Sequence, residues 1–171
     1  MARELWDACD REGNPLGFDL VRGEPVPAGV WHLVAEIYSV TRDGRVLVTK
    51  RHPDKSWGGQ WEITGGGVRK GETPLEGARR ELREETGLAV RDLRPVYVQN
   101  RGDTIYHCFL AVFDPAEQTI RLQEGETVDW RLLPYAAFKE FLMTDAFVDT
   151  IRRRFLDHQE AFDRLLAEYL E

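Results

Sequence analysis

Residues 66–88 constrain this chain more than any other stretch. They read Gly66-Gly67-Val68-Arg69-Lys70-Gly71-Glu72-Thr73-Pro74-Leu75-Glu76-Gly77-Ala78-Arg79-Arg80-Glu81-Leu82-Arg83-Glu84-Glu85-Thr86-Gly87-Leu88. A glycine-rich loop runs into a short helix that begins with a hydroxyl cap at Thr73, a proline in the first turn, and Glu76 placed to close a capping box. Gly87 supplies the stop. At about 100° per residue, Glu81, Glu84 and Glu85 share one face, and Leu75, Ala78 and Leu82 form a neighbouring stripe. The helix is therefore expected to bury one edge and turn its acids towards a cleft. Like charges at these spacings repel by a few tenths of a kcal/mol per pair, a cost that a cation among them would remove. Hard oxygen ligands suit Mg²⁺, with Mn²⁺ as the alternative.

Taken alone, the helix also reads as an ordinary solvated face, because Arg79, Arg80 and Arg83 are interleaved with the acids. The complete string decides between these readings. It matches the pattern Gly-x5-Glu-x7-Arg-Glu-(aliphatic)-x-Glu-Glu-x-Gly-(aliphatic) at Gly66, Glu72, Arg80, Glu81, Leu82, Glu84, Glu85, Gly87 and Leu88. With ordinary residue usage, a chance match has a probability of about 10⁻⁷ or less. On this motif the chain resembles the Nudix hydrolases.

The resemblance implies an α/β fold, an α/β/α sandwich with a mixed central sheet, and a Mg²⁺-dependent diphosphohydrolase. Its substrate would be a nucleoside diphosphate linked to another moiety, or a related small diphosphate. Carried over residue by residue, Glu81, Glu84 and Glu85 become the metal-binding or metal-orienting acids, and the backbone carbonyl of Gly65 or Gly66 a further ligand. Arg80 and Glu72 become a structural ion pair. Family members often recruit another acid from a later loop. Here Glu124 and Glu126 stand six and four residues before Trp130, and the resemblance favours Glu124, because the acid in some family members stands at that distance from a similar tryptophan.

The remaining site candidates flank the motif. Lys50 and Arg51 can clamp a substrate phosphate. Trp57, Trp61, Tyr106 and Phe109 can stack on a base or line a pocket, or serve as core; Trp61 is taken as substrate-binding. His32, on an apolar strand, reads as a core residue.

With 171 residues and 42% apolar content, the chain suits a single domain over 1–171. A net charge of -7 argues against a nucleic-acid or anionic-membrane surface. No run approaches the length of a membrane span, and no signal-peptide core is visible, so a cytoplasmic protein is expected. Cys9 and Cys108 show no metal-ligand spacing and are expected to be ordinary reduced thiols.

Along the chain, residues 5–27 suggest a short hairpin. Val30–Val40 and Arg45–Lys50 suggest strands joined at Asp43-Gly44. Further strands are expected over residues 88–100, 104–113 and 128–133, with a loop at 117–127, a helix over 134–142 and a terminal helix over about 145–170. The apolar face of that last helix covers the sheet or a second subunit of a homodimer.

Two rival functions arise. The stretch from Leu5-Trp6-Asp7 to Trp31-His32-Leu33-Val34 resembles the Nudix branch that includes isopentenyl-diphosphate isomerase. The isomerases place a cysteine just before the motif, where this chain has Trp61-Glu62-Ile63-Thr64-Gly65, and Val68 stands near where a histidine ligand would be needed. The other rival, a non-catalytic nucleotide-sugar-binding module, goes with loss of motif carboxylates, which are intact here.

Overall fold

The computed structural model describes residues 3–170. The elements run β1 (Leu5–Cys9), β2 (Pro15–Val21), β3 (His32–Thr41), β4 (Arg45–Arg51), β5 (Trp61–Glu62), β6 (Thr64–Gly67), α1 (Pro74–Thr86), β7 (Leu93–Arg101), β8 (Thr104–Phe113), β9 (Thr127–Pro134), α2 (Tyr135–Leu142) and α3 (Asp149–Leu170).

Strands β3 to β9 form one mixed sheet around β3. Strand β8 runs parallel to β3 from His32↔Thr104 to Thr41↔Phe113. On its other side β3 meets two partners in turn. Its first half pairs antiparallel with β6, from Val34↔Gly67 to Ile37↔Thr64, and its far end pairs with β4 at Val40↔Val46. The expected turn at Asp43-Gly44 joins β3 to β4, with Gly44 at φ 81. Strand β9 lies against β4, and β7 against β8. Strands β1 and β2 pair separately as a two-stranded sheet.

Both faces of the central sheet are covered, and strand periodicity divides the core between them. Ala35, Ile37, Leu47, Phe109, Ala111 and Phe113 face α1 and pack with Ala78, Leu82 and Leu88. Tyr38, Val40, Val46, Val48, Cys108 and Leu110 face the opposite way, onto Phe138 and Leu142 of α2 and Phe155, Phe162 and Leu166 of α3. This is the expected α/β/α sandwich. Two boundaries differ from the sequence expectation. The terminal helix starts at Asp149, because residues 146–148 run as an extra edge beside β5: the Trp61 amide donates to the Ala146 carbonyl at 2.7 Å, and the Val148 amide to the Trp61 carbonyl at 2.9 Å. Strand β7 begins at Leu93, while Leu88, fully buried, serves the core without being in a strand.

Helix α1 has the termini that its sequence calls for. The Glu76 amide donates to Thr73 Oγ1 at 3.2 Å, and the Thr73 amide to Glu76 Oε2 at 2.7 Å, closing the capping box. Gly87 closes the other end at φ 74, its amide donating to the Arg83 carbonyl at 2.9 Å. Burying Leu82 stabilises by about 2 kcal/mol, several times the repulsion within the acid cluster. Packing therefore fixes the helix with its carboxylates crowded at one cleft.

Candidate active site

Between α1 and the edge of the sheet lies a polar cleft. Gly65 and Gly66 of β6 form one wall, and Glu81, Glu84 and Glu85 of α1 form another. Gly66 lets the Glu81 carboxyl come close to the strand: a Cβ there would lie 2.4 Å from its carboxyl carbon. The Glu81 side chain is thus pressed against the strand backbone, and any larger residue at 66 would displace it.

Arg80 braces this geometry as expected. Its guanidinium donates to Glu72 from Nε at 2.7 Å and from Nη2 at 2.8 Å, and Nη2 also reaches the Gly67 carbonyl at 2.9 Å. Loop and helix are tied by one planar fork. Hydrogen bonds from Arg80 hold the Glu72 carboxyl below the ordinary carboxylate range. Arg80 also reaches Glu81 and Glu84, and Arg69 pairs with Glu84 at 3.3 Å.

Glu85 is different. It is 7% exposed, and its Oε2 has no hydrogen-bond partner. Burial, reinforced by Glu62 and Glu81, pushes its carboxyl well above the ordinary range, and burial raises Glu81 as well. Buried Glu85, with its orphaned oxygen, and half-buried Glu81 form a set of hard donors whose desolvation a divalent cation would offset. Among the described residues no three acidic, histidine or cysteine side chains converge as posed into a ligand cluster, because Arg80 and Arg69 draw Glu81 and Glu84 towards themselves. The donor chemistry fits Mg²⁺ or Mn²⁺, and the fit requires that Glu81 and Glu84 turn from the arginines to the ion.

Facing the acids are Arg51 and Lys55. Arg51 is held by Glu62 at 2.5 Å and by the Ser56 carbonyl at 2.7 Å. Lys55 pairs with Glu126, and burial first, then the nearby Arg51, lowers its pKa.

Strand alternation and loop placement sort the remaining candidates. Arg51 faces the cleft, but Lys50 points to the other face of the sheet, its Nζ 5.9 Å from the Trp61 ring centroid. Trp61 is a correction of the same kind. It is 4% exposed and packs against Phe141 and under Arg131, on the α2 side, while Glu62 beside it points the other way and pairs with Arg51. Consecutive strand residues must point to opposite faces, so Lys50 with Arg51, and Trp61 with Glu62, could not both serve one site. Glu124 is exposed and lies outside the cleft, whereas Glu126 lines it. The cause is the strap of residues 118–126. The Arg121 amide donates to the Thr86 carbonyl at 2.8 Å, and the Gln123 amide to the Glu85 carbonyl at 3.3 Å, satisfying the C-terminal carbonyls of α1. The strap then turns at Gly125, and Glu126 enters.

Sequence reasoning missed Lys55 and the N-terminal pair Glu4 and Arg22, which also line the cleft, and Glu62, which holds Arg51 from behind it. Alternation along Lys50-Arg51 and Trp61-Glu62 was a usable signal for Glu62. None was visible for Glu4 or Arg22, which arrive through tertiary packing of the β1–β2 hairpin. His32 stacks on Trp6 with centroids 4.3 Å apart and shares a 2.9 Å hydrogen bond with Thr104 Oγ1.

Comparison with known proteins places the chain in a family. A family profile described as the NUDIX domain matches residues 30–158. An uncharacterised Nudix hydrolase of Listeria monocytogenes is 34% identical over 89 residues, which cover 51% of this chain and 53% of that protein. The match thus spans about half the length of that relative. The nucleoside triphosphatase NudI of Escherichia coli is 34% identical over 100 residues, covering 50% of this chain and 70% of NudI. Among solved structures, DR0079 of Deinococcus radiodurans superposes with a TM-score of 0.72 at 21% identity, over 88% of this chain and 98% of that one.

Proposed function

Because the chain belongs to the Nudix family, we propose that it hydrolyses the diphosphate linkage of a nucleoside diphosphate joined to another moiety, or of a related small diphosphate, with Mg²⁺ or Mn²⁺ as cofactor. The observation that carries this reading is the buried, partnerless Oε2 of Glu85 beside Glu81, in a cleft whose facing wall holds Arg51 and Lys55. One side is built for a cation and the other for phosphate. That the Escherichia coli relative is a nucleoside triphosphatase supports a phosphoanhydride of a nucleotide as the bond cleaved.

In this reading Glu81, Glu84 and Glu85, with the Gly65 carbonyl, would hold the divalent ion. When bound, the ion neutralises phosphoryl charge and lowers the pKa of water at neutral pH. The chain's own residues do the rest. Arg51, anchored by Glu62, and Lys55 draw the phosphates against the glycine strand. As Lys55 turns to a substrate oxygen it releases Glu126, which accepts the proton of the attacking water. The new oxygen–phosphorus bond forms as the bridging oxygen leaves with the other phosphate.

The isomerase alternative lacks support at the cleft. Both cysteines are buried free thiols, and Cys108 belongs to the core on the α2 and α3 face. The test is to incubate purified protein and Mg²⁺ with a panel of nucleotide diphosphates and with isopentenyl diphosphate. Released mononucleotide is the expected product. An allylic diphosphate, or no product from the whole panel, would overturn the proposal.

A further inference from the structure

At the acidic cleft, the loop before α1 and the β1–β2 hairpin meet at one side chain. Arg69 donates from Nη1 to Glu84 Oε1 and from Nη2 to Glu84 Oε2, each at 3.3 Å, while its Nε lies 3.5 Å from Glu4 Oε2. We propose that Arg69 is a built-in competitor for the divalent ion at Glu84, and that Glu4 of the hairpin is the acceptor that keeps Arg69 when the ion takes its place. This inference rests on the metal reading of the cleft, and it makes the hairpin a determinant of how tightly the ion is held.

The acids of the cleft are unequally occupied. Glu85 Oε2 has no partner, whereas both oxygens of Glu84 are taken, Oε1 by Arg69 and Oε2 by Arg69 and by Arg80 at 3.3 Å. An ion that uses Glu84 must therefore displace a fork already seated there. Arg80 can release Glu84 and stay in place, because Glu72 and the Gly67 carbonyl still hold its guanidinium. Arg69 is held differently. Its backbone amide is fixed by Glu72 Oε2 at 2.9 Å, but among the described residues its guanidinium pairs with no carboxylate other than Glu84 and Glu4. Without Glu84, Glu4 is what remains to it.

The hairpin holds that acceptor ready. Glu4 Oε1 accepts from Trp6 Nε1 at 3.0 Å, and Oε2 accepts from Arg22 Nη1 at 3.2 Å. Trp6 is itself locked, stacked on His32 and so close to β6 that a Cβ at Gly67 would lie 2.6 Å from its Nε1. The Glu4 carboxylate is thus fixed beside Arg69 before any ion arrives. A contact that strengthens when the ion binds must favour ion binding to the same extent. Hairpin and metal are linked in this way, although Glu4 stands beside the arginine and not among the three ligands. The arrangement also accounts for an arginine whose charge would otherwise oppose the ion: Arg69 neutralises Glu84 while no ion is bound and withdraws to Glu4 when one binds.

Mn²⁺ titration of the substrate-free full chain tests this in a double-mutant cycle. Arg69→Gln should bind Mn²⁺ about three- to fivefold more tightly than wild type, the range of a partly exposed ion pair removed from competition. A residue that merely supported the fold would weaken binding when replaced. Glu4→Gln, which keeps an acceptor for Trp6, should weaken Mn²⁺ binding about threefold in wild type, by the same reasoning, and should have no effect in the Arg69→Gln background. The inference is overturned if Arg69→Gln binds Mn²⁺ no more tightly than wild type, or if Glu4→Gln has the same effect, or none, in both backgrounds. Absence of Mn²⁺ binding in every variant would overturn the cation site and this inference with it. Absent diphosphate turnover with the Mn²⁺ pattern intact would overturn the hydrolase reading alone.

Discussion

Glu81, half-buried, and Glu85, buried, are held in a state that an isolated protein would avoid, like charges near one another and raised in pKa by desolvation. Replacing Glu81 by neutral Gln should therefore leave the melting temperature within a few degrees of wild type, while kcat on the accepted diphosphate falls by about 10²-fold or more. Wild-type turnover in Glu81→Gln would remove Glu81 from the chemistry. The strap makes a paired comparison possible: Glu126→Gln should lower kcat and Glu124→Gln should not, with the reverse pattern contradicting the placement of the two acids. Glu72 gives a pH signature. Its folded pKa lies below the ordinary value of 4.5 because Arg80 hydrogen-bonds to the carboxylate, so its stabilisation is fully present above 4.5 and is lost as pH falls through the folded value. Glu72→Gln should cost about 1–3 kcal/mol in urea melts at pH 7, and the gap to wild type should shrink below pH 4.5. A constant gap would show that the Arg80 pair does not carry that stability.

At the scale of elements, the β1–β2 hairpin lies outside the matched family region yet grips the loop that feeds α1. The Lys70 amide donates to the Leu5 carbonyl, and the Gly71 amide to Asp7 Oδ2, each at 2.8 Å. Asp7→Ala should loosen the loop that sets Glu72 and Arg80, lowering kcat/KM severalfold with little change in melting temperature; unchanged kinetics would make the hairpin a bystander. This is also where sequence reading stopped. Helix α1 and its caps were legible because they rest on neighbours within a few residues, and the Arg80–Glu72 brace because the resemblance carried it over. Lys50, Arg51 and Trp61 were assigned to one site against strand alternation, and of the three only Arg51 lines the cleft. Lys55, Glu4 and the choice between Glu124 and Glu126 depend on how a loop, a hairpin and a strap dock on other elements, and local spacing does not encode that.

Across the whole molecule, α3 is joined to the centre of the sheet by Arg154 and Glu36, a pair buried at both ends and 118 residues apart. Glu36→Gln leaves a buried guanidinium uncompensated and should cost about 3–5 kcal/mol, whereas apolar replacement of both partners should cost much less; equal losses in the two variants would contradict the pair as the anchor of α3. The same layer arrangement that buries this pair places the acidic helix, the glycine strand and the basic loop around one cleft, and everything said of function depends on that cleft holding a divalent ion. Titration of Mn²⁺ into the substrate-free protein, followed by electron paramagnetic resonance, measures this directly. Wild type should show a saturable Mn²⁺ site that is lost or weakened at least tenfold in Glu85→Gln; absence of Mn²⁺ binding in wild type, or equal binding by the two proteins, would contradict it.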